Sequence, residues 1–312
     1  MDRTPARVFR TSNGTPEMPS FDRFRRSARA VSPLAMLAFA SSCSGAGGLP
    51  LARQPSPAGG TLGIDTSIYP GDAAMRAWRT ESPYRWTGYF LAAPCHRDPG
   101  WTGRRAALEQ MGWGTAVVYV GQQDWTNASR APAAAPAVPA PADSAQASAA
   151  SQPSAAPAPA CSASLLTAAQ GTAEADDAIA KTAAEGFPRG TAIFLDVERV
   201  QTFSPALDAY VRGWTARVLA DGRYAPAIYG HAFNAPSLYG ATQAVYAQRG
   251  TVGRPRFWLA STAGFGRDRA PTDVGYPYAD VWQGEIHTRE TWGGYPLLVD
   301  VNVSINASPS AG

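Results

Sequence analysis

The sequence is short of the residues that metal and nucleotide chemistry most often needs. Its three histidines, His96, His231 and His287, lie far apart and have no HExxH or CxxC companion, which argues against a zinc centre. No GxSxG elbow and no Walker A loop occurs, so a serine-hydrolase nucleophile turn and a phosphate-cradling P-loop drop out. No metal and no cofactor is expected. Lysine is nearly missing: Lys181 stands alone among arginines in an alanine-rich chain, the mark of a GC-rich bacterial codon bias rather than of chemistry. A surplus of one charge is missing too. The net charge of +3 comes from seven Arg and only Asp2, Glu17 and Asp22 in the first 42 residues, leaving 20 basic against 21 acidic residues in the rest. A neutral body lacks the basic face that a phosphate backbone demands, which excludes nucleic acid as a partner class.

No apolar run is long enough to span a bilayer. Val31 to Ala40, preceded by Arg23, Arg25, Arg26 and Arg29, has the length of a signal-peptide core instead. The small residues Ala40-Ser41-Ser42 before Cys43 resemble a lipobox, although Leu would be expected where Ala40 stands. Residues 1–43 are therefore expected to be a signal peptide or lipoprotein leader, ending either in lipidation of Cys43 or in ordinary cleavage nearby. Met18 is an alternative start, and Arg25-Arg26 fits a twin-arginine signal poorly. The expected location is outside the cytoplasm, in the bacterial envelope or secreted, with membrane contact only through a lipid on Cys43. Cysteine usage agrees. With Cys43 set apart, Cys95 and Cys161 remain as an even pair in an oxidising compartment and are expected to form a disulfide; two free buried thiols are the alternative.

With 45% hydrophobic residues, the chain can bury a large core. Residues 44–60, rich in Gly, Pro, Ser and Ala, read as a tether. Short apolar runs then alternate with helix-like segments. Strands are predicted at Thr61 to Asp65, Thr87 to Ala92, Ala116 to Gly121, Ala192 to Val197, Ala225 to Gly230, Arg256 to Ala260, Ala279 to Gln283 and Pro296 to Val303. Helices are predicted near 72–80, 102–111, 172–186, 204–221 and 235–248. Ser204-Pro205 starts the fourth helix and Asp221-Gly222 ends it; its Leu207, Tyr210, Val211, Trp214 and Val218 suit packing on a sheet. This order predicts an α/β fold, a single-domain parallel (β/α)8 TIM-like barrel over residues 61–307 with short or irregular last crossovers. A monomer is expected. Residues 131–160 hold fifteen Ala and seven Pro, too little bulky apolar surface to fold, and are expected to form a disordered or polyproline-like insert after the third strand.

The run Ala192-Ile193-Phe194-Leu195-Asp196-Val197-Glu198 sets two carboxylates at the polar end of an apolar strand. Alternate strand residues share a face, so Asp196 and Glu198 point the same way. Two acids held close in a dry pocket split their pKa values into one proton donor and one anion, the equipment of a glycosidase. Metal binding by the pair, or pairing with arginines, is the competing reading. Other predicted strands end in polar groups as well: Asp65 on the first, Tyr229 on the fifth, Trp282-Gln283 on the seventh, Asp300 and Asn302 on the eighth. In a barrel such strand ends converge on one mouth, where four carboxylates, a Tyr, a Gln and a Trp make a poor core and a good sugar site. Tyr229, Trp282, Gln283 and Asn302 are the expected substrate-binding residues, with Trp282 as a platform for sugar C–H faces. His231 is expected to hydrogen-bond locally. Asp124, Trp125 and Trp101 are candidates for extending a groove.

The strand series Gly63-Ile64-Asp65, Phe194-Leu195-Asp196-Val197-Glu198, Ile228-Tyr229, Phe257-Trp258-Leu259-Ala260, Val281-Trp282-Gln283 and Val299-Asp300-Val301-Asn302-Val303 resembles that of glycoside hydrolase family 25 lysozymes. It resembles still more their relatives, the exported Rv2525c-like glycoside-hydrolase-like proteins, which the segments Gly63 to Gly71 and Gly112 to Gln123 also fit better. The likeness covers about residues 61–305. It implies Glu198 as general acid, and Asp196 as the charge that stabilises a cationic transition state or orients a substrate N-acetyl group. It further implies that Asp65 and Asp300 complete the catalytic acidic cluster and that the partner is a cell-wall polysaccharide of peptidoglycan type. A non-catalytic cell-wall glycan-binding protein on the same barrel is the alternative.

Overall fold

The computed structural model describes residues 59–125 and 161–312. The predicted leader, the Cys43 lipidation site, Met18, most of the tether and the insert at 131–160 lie outside the described residues. No helix among the described residues is long and apolar enough to cross a membrane.

Eight strands close into one barrel in chain order. The first half runs β1 (Thr61–Asp65), α1 (Asp72–Glu81), β2 (Trp86–Phe90), α2 (Arg105–Met111), β3 (Gly114–Val120), α3 (Ala168–Ala184) and β4 (Ala192–Val197). The second half runs α4 (Pro205–Asp221), β5 (Ala225–His231), α5 (Ala235–Gln248), β6 (Arg256–Ala260), β7 (Ala279–Trp292) and β8 (Tyr295–Ser304). Neighbours from β1 to β7 pair in parallel, an α-helix carrying the chain back in each crossover up to β6 and a longer segment with a single 3-10 turn at Pro271–Val274 doing so between β6 and β7.

The last strand departs from the expectation of an all-parallel barrel. β8 pairs antiparallel with both β7 and β1. Between Trp292 and Tyr295 stand only Gly293 and Gly294, both at positive φ (57° and 80°), the backbone of a tight hairpin. A parallel crossover needs a dozen or more residues, and two glycines supply a reversal instead. β7 is consequently far longer than predicted. Its distal half and the start of β8 form a hairpin that packs on α1, with Trp78 Nε1 donating to the Tyr295 carbonyl at 2.9 Å.

Helix punctuation follows the sequence closely. Ser204 Oγ accepts from Leu207 N at 3.2 Å, Pro205 opens α4, and Gly222 ends it at φ 69°. Leu207, Tyr210, Val211, Trp214 and Val218 are fully buried, as their spacing predicts. The barrel base is closed by the residues after β8. Ser310 Oγ donates to the Ala192 carbonyl and accepts from Val117 N, both at 2.7 Å, so packing on the barrel continues past residue 307.

Candidate active site

One row of side chains enters the barrel near its upper end. Val120, Asp196, Tyr229 and Trp258 occupy matched positions on β3, β4, β5 and β6. On the other side Asp65 of β1 lies directly opposite Asp300 of β8. The reversal of β8 leaves this convergence intact, because its N-terminal half, rather than its C-terminal end, reaches the mouth. Asp65, Asp196, Glu198, Tyr229, Gln283 and Asp300 all line one cavity of about 290 Å³, together with Phe90, His96, Trp125, Trp258 and His287. Six of the eight residues proposed for chemistry and binding therefore meet.

The other two do not line it. Alternation along β7 turns Gln283 inward and Trp282 outward. Trp282 is fully buried on the outer side, its ring 5.1 Å from Phe265 and its Nε1 bonded to the Ser261 carbonyl at 2.7 Å. A platform role for Trp282 is not available in this position. Asn302 points inward, but one layer below the cavity: its Nδ2 donates to Asp65 Oδ2 at 2.8 Å, and its Oδ1 accepts from Trp258 Nε1 at 2.9 Å. It orients Asp65 and Trp258 without lining the cavity.

Hydrogen bonds give the four carboxyls different surroundings. Gln283 Nε2 donates to Asp65 Oδ2 at 3.0 Å and to Asp300 Oδ2 at 3.1 Å, while its Oε1 accepts from Tyr229 Oη at 2.7 Å. The His287 peptide N–H adds a 2.6 Å bond to Asp300 Oδ1. Asp196 is less well served, its buried Oδ1 having no hydrogen-bond partner among the described residues. Glu198 is only partly buried, and its own peptide N–H donates to Gln123 Oε1 at 3.0 Å. Gln123 Nε2 in turn donates to the Asp196 carbonyl at 2.8 Å, so one side-chain amide braces the backbone on either side of Val197.

All four carboxyls titrate above the ordinary range. Burial comes first for each. For Asp196 the charges of Glu198 and Asp65 add to it, and for Asp65 the charge of Asp300 does. Glu198 is raised by burial and by Asp300, with the Arg199 peptide N–H pulling it back; Asp300 is raised by burial and lowered in part by His287. Burial and the surrounding carboxylates also hold the Tyr229 phenol well above its usual value, so it remains a neutral donor to Gln283. The donors at Asp65 and Asp300 offset only part of that rise, and Glu198, raised and reachable, is suited to give up a proton.

The disulfide between Cys95 and Cys161 is present, with Cα atoms 4.9 Å apart, and Cys95 itself lines the cavity. Trp125 also lines it, 40% exposed. Trp101 does not. It is buried between Tyr69 and Tyr89 and donates to the Ser67 carbonyl at 3.2 Å. Asp124 is buried, with Ser204 Oγ 3.5 Å from its Oδ2. His231 Nδ1 accepts from the Phe233 N–H at 3.0 Å, the local bond expected of it.

Sequence reasoning missed His96, His287, Trp258 and Gln123. The polar run Gln122-Gln123-Asp124 immediately after a predicted strand was a usable signal. Trp258 becomes visible only once β6 is in register with Tyr229; His96 is carried by a loop, and His287 sits at an irregularity within β7 at φ 53°, where strand alternation does not predict its direction. Among the described residues, no group of three or more His, Cys, Asp or Glu is arranged to hold a metal ion.

This eight-stranded barrel, with its acidic, amide-braced cavity at the strand ends, is of the glycoside-hydrolase-like class. More particularly, the chain belongs to the Rv2525c-like, glycoside hydrolase-like domain family, whose model matches residues 76–304 and so includes every cavity carboxyl except Asp65. Among solved structures, the chain is similar to the Mycobacterium tuberculosis Tat-secreted protein Rv2525c in complex with L-tartrate. That pair is 15% identical over 79% of this chain and 96% of the other, with a TM-score of 0.48. A bacterial lysozyme from Streptomyces coelicolor is 16% identical over 79% of this chain and 93% of its own, with a TM-score of 0.47. An uncharacterized B. stearothermophilus protein is likewise 16% identical, over 78% and 96%, at 0.47. No curated protein matches.

Proposed function

We propose that this protein is an exported glycoside hydrolase of the bacterial cell envelope that cleaves a peptidoglycan-type glycan strand. The observation that carries the reading is the pairing of a reachable carboxyl held above its ordinary pKa, Glu198, with a buried carboxyl beside it, Asp196, in one cavity. Glu198 protonates the glycosidic oxygen as the bond to the leaving sugar breaks. Asp196 faces the positive charge that develops on the sugar ring, or holds a substrate N-acetyl group against it. Asp65 and Asp300, oriented by Gln283 and Asn302, set the field in which both act. Export is supported by the basic and apolar N-terminal run and by the disulfide, which an oxidising compartment preserves.

The test is release of reducing ends from cell-wall glycan by the wild type and by Glu198→Gln. The variant is expected to lose at least 100-fold, on the order of what general acid catalysis contributes. Equal release by both ends the assignment of Glu198 as the acid. Binding of the glycan by the wild type with no release assigns the barrel to recognition without turnover.

A further inference from the structure

The disulfide touches the end of β3 at two points. Cys95 lines the cavity, and its peptide N–H donates to the Val120 carbonyl at 3.2 Å. Its partner Cys161 is followed by Ser162, whose peptide N–H donates to Gln122 Oε1 at 2.7 Å. One covalent bridge therefore grips the chain at Val120 and again at Gln122, two residues further on.

Gln122 is held through its donors as well. Its Nε2 donates to Glu174 Oε1 at 2.7 Å, and its peptide N–H donates to Tyr210 Oη at 3.0 Å. Tyr210 in turn donates to Glu174, both are buried, and Gln170 Nε2 adds a 2.8 Å bond to the same carboxylate. Between Val120 and Gln122, Gly121 lies so close to the Tyr210 hydroxyl that a Cβ would not fit there. The segment is thus fixed against α3 and α4 by bonds that are costly to break in a buried setting.

The next residue, Gln123, gives both ends of its amide to the backbone that carries the acids. β4 ends at Val197, so Glu198 stands one residue past the strand, and its peptide N–H finds its acceptor in Gln123 Oε1. The Asp196 carbonyl is bound by Gln123 Nε2. Where Gln123 sits decides where Glu198 sits, and Gln122 and the bridge decide where Gln123 sits.

We propose that the Cys95–Cys161 bridge and Gln122 are positioning groups for the acid: they fix Gln123, which holds the Glu198 carboxyl within reach of the glycosidic oxygen. This rests on the hydrolase reading above and makes turnover depend on a bond remote from the reacting carboxyls.

Release of reducing ends from a soluble peptidoglycan oligosaccharide, with kcat and KM determined separately, tests it. Each variant is assayed at a temperature where near-ultraviolet circular dichroism shows native packing. Gln122→Met is expected to lower kcat roughly tenfold with KM within about twofold, because a displaced acid weakens the transition state more than binding. Gln123→Met is expected to lose roughly 10- to 100-fold, and Gln122→Met with Gln123→Met no more than Gln123→Met alone, since both act through one brace. A Cys95→Ser, Cys161→Ser variant is expected to match Gln122→Met. Where that variant does not fold, Gln122→Met, which leaves the bridge in place and cuts the path from it, decides the proposal. An unchanged kcat in Gln122→Met or in the folded cysteine variant, or losses that multiply when the two glutamine substitutions are combined, overturns the positioning role and leaves the hydrolase reading standing. No release by the wild type overturns both.

Discussion

Asp65 and Asp300 face each other across the antiparallel β1–β8 pair, and the Gln283 amide donates to a carboxylate oxygen of each. The same amide accepts from Tyr229, so one neutral side chain ties two acids and a phenol into a single network. Burial raises both acids, and the charge of Asp300 raises Asp65 further; the Asn302 and Gln283 bonds pull Asp65 part of the way back, and the His287 peptide N–H does the same for Asp300.

Replacing Gln283 with Leu is expected to destabilise the fold by about 2–3 kcal/mol at pH 7, because buried acceptors and the Tyr229 hydroxyl lose their partners. At pH 4, where the raised carboxyls are already protonated, the loss is expected to shrink. Urea unfolding at both pH values measures this, and a loss of the same size at each would show that Gln283 does not serve the ionised forms.

Asp196 titrates above its ordinary value in the folded state, so the fold binds a proton that the unfolded chain releases. Its contribution is fully present below the unfolded carboxyl value of about 4 and is lost as pH rises through the folded one. Asp196→Asn cannot ionise and escapes that loss. The variant is therefore expected to gain stability over the wild type as pH rises from 4 to 8, by about 1.4 kcal/mol for each unit by which folding raises the carboxyl. Denaturation midpoints across that range decide it; a difference that does not change with pH would place the ionised form comfortably in the fold.

Cys95 and Cys161 are 66 residues apart in sequence and joined at the cavity wall. On the chain-entropy account, cutting the bond costs roughly 4 kcal/mol by freeing a long loop in the unfolded state. Urea unfolding of the wild type and of a Cys95→Ser, Cys161→Ser double variant tests this. An unchanged midpoint would mean that the loop is restrained by other contacts.

Much of the architecture was readable along the chain. Ser204-Pro205 and Asp221-Gly222 bounded α4 because caps act locally, through side-chain and backbone bonds a few residues apart. The eight strands showed themselves as apolar runs. The direction of the eighth did not, since a strand reads alike in both directions and the decisive cue was two glycines within a segment expected to be an irregular crossover. Within the site, Asp196 and Glu198 were legible from strand alternation alone. Trp282 was misplaced for the same kind of reason: it and Gln283 are adjacent, so only one can face inward, and residue type does not say which.

Composition and local pattern by themselves determined that this chain makes an α/β barrel with acids at its strand ends, because burial, period and capping are short-range properties of the sequence. Tertiary structure alone decided which groups touch. Closing β1 against β8 set Asp65 opposite Asp300, brought Gln283 between them, hung Gln123 under the Asp196–Glu198 backbone and left Arg199 over Phe233. These partners lie up to 235 residues apart, as Asp65 and Asp300 do, and register and loop path bring them together.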